Sequence, residues 1–184
     1  GSGIYREVRL HVGALEHFNP DGLAVHIAGA NKVRVCVSGD FDAACSVKLT
    51  IEDRRGTMVS AAEGTDAIME IPDAQNWEAE HPYLYTCRAQ LLKEDEVVDE
   101  TTVRFGLRTL RWGKDGLSVN GKTTLLRGAC IHHDNGVLGA CDFADAEYRR
   151  VRILKEAGFN AIRSAHNPVS KAMLDACDEL DMYV

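Results

Sequence analysis

The chain has 184 residues and a formal net charge of −7, and 27% of its residues are charged. Residues 1–112 contain 12 Lys and Arg against 18 Asp and Glu, and residues 113–184 contain 9 against 10, so neither half offers the basic face that phosphate binding requires. A hydrophobic content of 45% excludes long disorder, and no apolar run is long enough to cross a membrane. We therefore expect a folded, soluble protein of one or two domains that binds neither nucleic acid nor membrane.

Short apolar runs of period two fill the chain from about residue 5 to residue 110. Period two places alternate side chains on one face of a strand, as in a sheet that covers a core. Turn sequences such as Asn19-Pro20-Asp21-Gly22 separate the runs at intervals typical of a sandwich. About seven strands in roughly 105 residues predict an all-β immunoglobulin-like sandwich, which we place at residues 1–112. The runs are Val8/Leu10/Val12, Val25/Ile27, Val33/Val35/Val37, Val47/Leu49/Ile51, Tyr83/Tyr85/Cys87 and Val97 to Phe105.

The six cysteines show neither a CxxC pair nor a tight metal-ligand spacing, so the sequence predicts no metal site. The separation of Cys36 and Cys87 is similar to that of an immunoglobulin bridge. Cys36, however, alternates with the valines of residues 32–38, and it faces outward if those valines face the core. We therefore predict free thiols, which favour a reducing compartment and a cytoplasmic location, with the periplasm or secretion as alternatives.

After Gly113 the pattern changes to apolar strands that alternate with amphipathic helices. A short hairpin at residues 117–126 comes first, and the βα rhythm that follows is typical of a parallel sheet. For the first helix we predict Asp142 as the N-cap and Gly158 as the stop. Its buried stripe is predicted to be Tyr148, Val151, Leu154 and Ala157.

The pattern continues with a strand at 160–163 and a second helix, for which Ser170 is the predicted N-cap. The stripe of that helix is Met173, Cys177 and Leu180, and residues 182–184 begin a third strand. Three strands and two helices are too few for a closed (β/α)₈ barrel, which takes about 250 residues. We therefore interpret residues 113–184 as the N-terminal part of such a barrel.

Reactive side chains follow two of the predicted strands. His132 and Asp134 come after the first, and Arg163 and His166 after the second. In a βα-barrel the C-terminal strand ends face the active site, which favours a functional role. Alternatives remain: His132-His133-Asp134 could be a solvated turn, and Arg163 could pair with a structural acid. Adjacent histidines on an extended segment point to opposite faces, which argues against zinc.

The aromatic residues Trp77, Tyr83 and Tyr85 form a third group. They could stack against sugar rings, but aromatic side chains near His81-Pro82 are more often part of a sandwich core. We therefore favour a structural role for them.

The run from Asn160 to Tyr183 resembles the first signature of glycoside hydrolase family 2, the family of β-galactosidases, β-glucuronidases and β-mannosidases. That signature is Asn, any residue, an apolar residue, Arg, two small residues, His, Tyr and Pro, and later Asp, two residues, Gly and an apolar strand. Asn167 stands in place of the Tyr, similar to the His-Asn-Pro of many bacterial β-galactosidase-like members, and Asp181 stands in place of the Gly. The matching residues are Asn160, Ile162, Arg163, Ser164-Ala165, His166, Pro168, Met173-Leu174, Asp178 and Met182-Tyr183-Val184.

Other landmarks of the family stand in the same order along the chain. The segment Trp77–Tyr85 resembles the Trp…Pro-x-Leu-Tyr segment late in the family's sandwich domain, and Phe105-Gly106-Leu107-Arg108 resembles the exit from it. Asn120-Gly121-Lys122, Leu126-Arg127-Gly128 and His132-His133-Asp134 are similar to the start of the barrel and its first active-site loop. The resemblance spans about residues 20–184.

The resemblance implies a retaining β-glycosidase, in which one Glu protonates the leaving oxygen and a second Glu attacks the anomeric carbon. Both would lie beyond Val184, so we expect a fragment without catalytic residues and without activity of its own. Arg163 would orient the nucleophile, and His132, Asp134, His166 and Asn167 would bind the substrate. No cofactor is implied for residues 1–184, although the full enzyme could use a divalent cation.

Among the enzymes of the family, we expect a β-galactosidase that hydrolyses terminal β-linked sugars. The alternatives from other classes are a non-catalytic carbohydrate-binding or adhesion module, and a structural spacer whose His and Asp residues bind a metal. An incomplete barrel leaves strand edges and apolar faces uncovered, so we also expect self-association through residues 113–184.

Overall fold

The computed structural model describes Ile4, residues 6–78 and residues 80–184. These residues divide into two compact units. The first, residues 10–77 with 83–109, is called the sandwich unit. The second, residues 110–184 with the described residues of 4–9 and 78–82, is called the βα unit.

The sandwich unit contains two antiparallel sheets, as the alternating runs predict. One sheet has the strand order β1-β2-β5 and the other has the order β4-β3-β6-β7. The strands are β1 (His17–Ile27), β2 (Lys32–Asp40), β3 (Cys45–Glu52), β4 (Met58–Glu63), β5 (Asp66–Glu70), β6 (Tyr85–Lys93) and β7 (Glu96–Phe105). Alternate residues of β2, β3 and β6 form the core between the sheets.

The alternation of inward and outward side chains in β2 determines whether Cys36 can form a disulfide with Cys87. Val33 and Val35 are fully buried, whereas Cys36 is only half-buried and Cys87 lies in the core. All six cysteines are free thiols, so the expected absence of an immunoglobulin bridge is confirmed.

The segment directly after β7 packs around Trp77, which is 2% exposed. The Trp77 backbone N–H donates to the Leu107 carbonyl at 2.8 Å, and the Arg108 guanidinium lies 5.5 Å from the centre of the indole. A Cβ on Gly106 would meet the Trp77 Cβ at 2.7 Å, so only glycine fits there. Tyr85 is also buried, and its hydroxyl accepts from the Gln75 N–H at 2.8 Å, so Trp77 and Tyr85 are structural residues, and Tyr83 packs partly buried against the same core as Tyr85.

Three features of this part of the chain differ from the prediction. The predicted turn Asn19-Pro20-Asp21-Gly22 lies inside β1, at a bulge between Phe18 and Leu23. Residues 8–12 form no strand, and Val8, Leu10 and Val12 are exposed, because the alternation there finds no neighbouring strand and no core. Strands β4 and β5 were not predicted from the sequence, since Met58–Glu63 and Asp66–Glu70 contain few large apolar residues.

The βα unit begins with a three-stranded antiparallel sheet of order β10-β9-β8. Its strands are β8 (Leu110–Gly113), β9 (Gly116–Val119) and β10 (Lys122–Thr123). The β9–β10 turn is Asn120-Gly121. Both residues have a positive φ, 50° and 80°, and Asn-Gly is the sequence that two-residue hairpin turns with positive φ prefer. The predicted hairpin is therefore present, with β8 as an additional strand.

Next come β11 (Gly128–Ile131), α1 (Ala144–Glu156), β12 (Ala161–Ser164) and α2 (Lys171–Glu179). β11 and β12 are parallel, and Tyr183 continues the sheet through a parallel bridge to Ala161. Asn160 ties the start of β12 to the preceding segment, since its side chain accepts from Arg127 N at 2.7 Å and donates to Leu125 O at 2.9 Å. This is the expected beginning of a (β/α)₈ barrel.

The two helices start differently. Ser170 caps α2 as predicted, and its hydroxyl accepts from the Met173 N–H at 3.1 Å. For α1 the predicted cap was wrong: Phe143 occupies the N-cap position, and Asp142 instead lies 3.9 Å from the Arg6 guanidinium. The stripe was also partly wrong, because Glu147 is buried with Val151 while Tyr148 and Ala157 are exposed. Gly158 ends the helix with φ of 88°.

Candidate active-site strand ends

The C-terminal ends of β11 and β12 lie side by side in the parallel sheet. The register pairs Ile131 with Ser164, and the Ala165 N–H extends the ladder by donating to the Ile131 carbonyl at 2.9 Å. The segments that follow the two strands therefore leave the sheet next to each other. As a result, the rings of His132 and His166 lie 5.1 Å apart, although the two residues are 34 positions apart in sequence.

His132, His133 and Asp134 form a tight turn directly after β11. The Asp134 N–H donates to the His132 carbonyl at 2.8 Å, which closes a three-residue turn. The two histidines separate: His132 lies against His166, while His133 Nε2 accepts from the Arg6 guanidinium at 3.0 Å. The Asp134 carboxylate is exposed beside them.

Arg163 is the exposed residue in the middle of β12. It is paired in register with Cys130 of β11, and its Nη1 donates to the Cys130 thiol sulfur at 3.6 Å. In the described part of the chain, Arg163 forms no ion pair with an acid. Its guanidinium is thus available for a carboxylate or a ligand oxygen.

The loop after β12 places His166 and Asn167 at the end of the strand. His166 has a left-handed backbone with φ of 71°, which is uncommon for a residue with a side chain. The Ser164 hydroxyl donates to the Asn167 carbonyl, and the Arg6 guanidinium donates to the Pro168 carbonyl at 3.1 Å. Both His166 and Asn167 are exposed, and Asn167 and Pro168 line an open groove of about 520 Å³ with Arg6 and His133.

A charged pair lies behind the His132–Asp134 turn. Arg150 Nη2 donates to the carbonyls of His132 and Asp134 at 2.9 and 2.8 Å. Glu147, one helical turn earlier on α1, is only 4% exposed and lies 3.6 Å from the Arg150 guanidinium. Burial raises the pKa of the Glu147 carboxyl, and the neighbouring Arg150 opposes that rise.

Arg6, Glu147 and Arg150 were not predicted from the sequence to be part of this region. Arg150 carries a weak signal, since a Glu three residues before an Arg on a helix can pair with it. Nothing in the sequence shows that this pair lies against the β11 loop, because that contact depends on how α1 crosses the sheet.

The chemistry at the strand ends is that of polar recognition. Imidazoles, an exposed carboxylate, an amide and a guanidinium can all form hydrogen bonds with sugar hydroxyls or hold a carboxylate. No group of three or more His, Cys, Asp or Glu side chains that could hold a metal ion occurs within residues 6–78 and 80–184. None of the helices described here is long and apolar enough to span a membrane.

Known proteins with similar sequences share both units. The family described as Glycosyl hydrolases family 2 matches residues 24–108, and its TIM barrel domain matches residues 111–184. A beta-galactosidase, BoGH2A of Bacteroides ovatus, is 30% identical over 204 aligned positions, which cover 100% of this chain and 24% of that protein.

Solved structures show the same similarity. A glycosyl hydrolase family 2 member from Bacteroides cellulosilyticus superposes with a TM-score of 0.87 at 36% identity, covering 99% of this chain and 28% of that one. An FMN-binding beta-glucuronidase from Facaelibacterium prausnitzii superposes with a TM-score of 0.84 at 31% identity, covering 91% of this chain and 28% of that one. The chain thus spans about a quarter of the length of these relatives. It belongs to glycoside hydrolase family 2, and comprises an immunoglobulin-like sandwich and the start of the family's TIM barrel.

Proposed function

We propose that residues 1–184 are part of a retaining β-glycosidase that hydrolyses terminal β-linked sugars. The observation that carries the proposal is the meeting of His132 and His166 at the ends of two adjacent parallel strands, with their rings 5.1 Å apart. Active sites of βα-barrels are built at these strand ends. In a family 2 chain, polar side chains at the ends of β11 and β12 would form part of the sugar-binding site.

Each side chain has a distinct role in this proposal. Arg163 orients the nucleophilic carboxylate and keeps it ionised, because a guanidinium favours the charged form of a neighbouring acid. His132, Asp134, His166 and Asn167 bind sugar hydroxyls. The acid/base and the nucleophile are two Glu residues from outside residues 1–184, placed about 5–5.5 Å apart as retention requires.

We propose a β-galactoside as the substrate, with a β-glucuronide as the competing choice. The similarity to a curated beta-galactosidase over 100% of the chain supports the first, and the similarity to a solved beta-glucuronidase keeps the second open. The two sugars differ in charge, since glucuronate carries a carboxylate and galactose does not. Specificity therefore depends on whether the complete pocket provides a cation for that carboxylate.

Hydrolysis of aryl glycosides tests the proposal. The full-length natural protein is expected to release 4-nitrophenol from 4-nitrophenyl β-D-galactoside with retention of configuration, and to act more slowly on the β-D-glucuronide. Residues 1–184 expressed alone are expected to show no turnover. Binding of galactose by the full-length protein without any hydrolysis would instead support a carbohydrate-binding module. Turnover by residues 1–184 that rises in proportion to their concentration would show that the catalytic carboxylates lie within them.

Site variants of the full-length protein test the individual roles. Arg163→Met and His166→Ala should each lower kcat/KM by about 100-fold or more, because they remove groups at the reacting sugar. Arg152→Met is the matched control, since Arg152 is exposed and its ion pair among the described residues is with Glu156 on α1, at 3.8 Å. Equal activity of all three variants would contradict the assignment of the site.

The remaining expectations are also proposals. Residues 1–184 take part in catalysis without a cofactor of their own, the protein acts in the cytoplasm, and residues 113–184 self-associate when expressed without the rest of a barrel. Exposed Trp112 and Leu125 support the last of these. Light scattering of residues 1–184 over a range of concentrations tests it, and a constant monomeric mass would contradict it.

A further inference from the structure

The turn after β11 is held from behind by a residue on α1. The His132 carbonyl accepts two hydrogen bonds, one from the Asp134 N–H at 2.8 Å and one from Arg150 Nη2 at 2.9 Å. The same Arg150 nitrogen donates to the Asp134 carbonyl at 2.8 Å. The guanidinium thus joins the two ends of a three-residue turn.

Arg150 is itself fixed in place. Its side chain is 21% exposed, and it pairs at 3.6 Å with Glu147, whose side chain is 6% exposed. A planar guanidinium presents several donors in a fixed geometry, so that one group can hold two carbonyls and still face a carboxylate. Glu147 Oε2 has no hydrogen-bond partner among the described residues, so the contact with the Arg150 guanidinium is its closest polar interaction there.

The geometry of the turn decides where the two histidines go. With the turn closed, the His132 ring lies 5.1 Å from the ring of His166, and the His133 ring contacts Arg6. If the turn opened, the chain at 132–134 would approach an extended form, and the His132 ring would no longer be held beside His166. The position of a substrate-binding side chain therefore depends on hydrogen bonds to its own backbone.

We propose that Arg150, supported by Glu147, is a positioning residue of the sugar site: it fixes the His132–Asp134 turn and thereby places the His132 imidazole and the Asp134 carboxylate toward the substrate. Arg150 does not itself contact the sugar. This inference rests on the proposed function for its kinetic consequence, whereas the structural consequence for the turn holds whatever the substrate is.

Substitution of Arg150 in the full-length protein tests the structural consequence first. In Arg150→Met, hydrogen–deuterium exchange of the backbone amide of Asp134 should become at least about tenfold faster, because its acceptor is no longer held in place. Arg150→Lys should give an intermediate rate, since an ammonium group can reach only one of the carbonyls at a time. Arg152→Met, on the exposed face of the same helix, should leave the exchange unchanged. Unchanged exchange in Arg150→Met would overturn the proposal even if the protein were not a glycosidase.

Kinetic measurements distinguish a positioning role of Arg150 from a role in the overall stability of the protein. Arg150→Met should lower kcat/KM for the aryl galactoside by about 10- to 100-fold, the effect of misplacing a substrate group by about 1 Å. In a protein that also carries His132→Ala, the same substitution should cost almost nothing more, because Arg150 acts through His132.

Chemical rescue gives a second kinetic readout. Guanidinium ions at millimolar concentration should restore part of the kcat/KM of Arg150→Ala but not that of His132→Ala, and ammonium ions should restore neither. Independent, additive losses for Arg150→Met and His132→Ala in an active enzyme would overturn the positioning role while leaving the proposed function intact. Absence of hydrolysis by the unsubstituted protein would contradict the proposed function, and the exchange of the Asp134 amide would still decide on the turn.

Discussion

The pKa values of acidic side chains are shifted in opposite directions in the two units. In the sandwich unit, carboxyls at or near the surface are stabilised in the charged form: the pKa of the half-buried Glu16 is lowered by a hydrogen bond from Lys93, and that of the exposed Asp66 by one from Arg34. In the βα unit, Glu147 and Asp181 are buried, and burial raises the pKa of both. The sandwich unit therefore keeps these charges at or near the surface around an apolar core, whereas the βα unit contains two buried acids.

The apolar core of the sandwich unit should be sensitive to loss of apolar volume, whereas an exposed leucine of the βα unit should not. Leu49 of β3 is fully buried in that core, and Leu49→Ala should lower the free energy of unfolding by about 3 kcal/mol, the typical cost of a cavity. Leu125→Ala makes the same change at a side chain that is 74% exposed in the βα unit, and should cost less than about 0.5 kcal/mol. Urea unfolding followed by circular dichroism measures both. Similar midpoints for the two variants would contradict the comparison.

Substitution of Asp181 tests whether a buried acid lowers the stability of the βα unit. It has a left-handed backbone with φ of 61°, its Oδ1 has no hydrogen-bond partner among the residues that the structure describes, and its carboxyl lies 3.5 Å from the Lys155 ammonium. Asp181→Gly should stabilise the protein by about 1 kcal/mol, because glycine adopts this backbone without strain and removes a buried carboxyl. The Lys155 ammonium keeps its contact with the backbone carbonyl of residue 181 at 3.1 Å.

Asp181→Ala is the control for that change, since it removes the carboxyl but keeps the strained backbone. Its melting temperature should therefore fall below that of Asp181→Gly by about 2–4 °C. If the alanine variant were as stable as the glycine variant, the backbone conformation would not be the cause.

The smallest expected effect is an opposite response of the two units to pH. A carboxyl whose folded pKa is raised binds more protons in the folded state, so its contribution to stability is present at low pH and is lost as pH rises through the folded pKa. Glu147 and Asp181 should therefore make the βα unit more stable as pH falls from 7 toward their ordinary pKa values of 4.5 and 3.8. Glu16 and Asp66 have lowered pKa values, so the sandwich unit should lose stability below pH of about 4.

Hydrogen exchange measured at several pH values and corrected for the intrinsic rate can separate the two units. Protection of α1 and β12 should increase on mild acidification, and that of β2 and β5 should not. In a protein with Glu147→Gln and Asp181→Asn, the increase in the βα unit should disappear. An increase that persists in this double variant would show that other groups cause it.

Most of the sandwich could be predicted from the sequence because period two reports directly on a half-buried strand. The valines of β2 and the alternating residues of β3 and β6 are found in the core as expected. The same pattern was misleading at Val8, Leu10 and Val12, since alternation shows that a strand is suitable but not that a neighbour exists to pair with it. In Met58–Glu63 the inward residues are only partly buried, and in Asp66–Glu70 the buried Met69 follows an exposed Ile68, so neither segment shows a clean alternation.

In the βα unit the sequence predicted the order of elements and the cap of α2. It could also predict that His132 and His166 lie near each other, because parallel strands end at the same edge of a sheet. It could not predict that Glu147 would be buried in place of Tyr148, since a helix stripe is normally apolar. The roles that we propose for His132, Asp134, Arg163, His166 and Asn167 remain predictions until the variants are measured.

The packing of Trp77 against Gly106 has a consequence for how such sequences evolve. The tryptophan and the Phe105–Arg108 segment look like two separate landmarks, 29 positions apart from Trp77 to Gly106. In the fold they are one contact, because the indole fills the space that a side chain at position 106 would need. A relative that has lost the glycine should therefore also have lost the tryptophan. The two positions should be inherited together, and a change at only one of them should mark a sandwich that has been repacked.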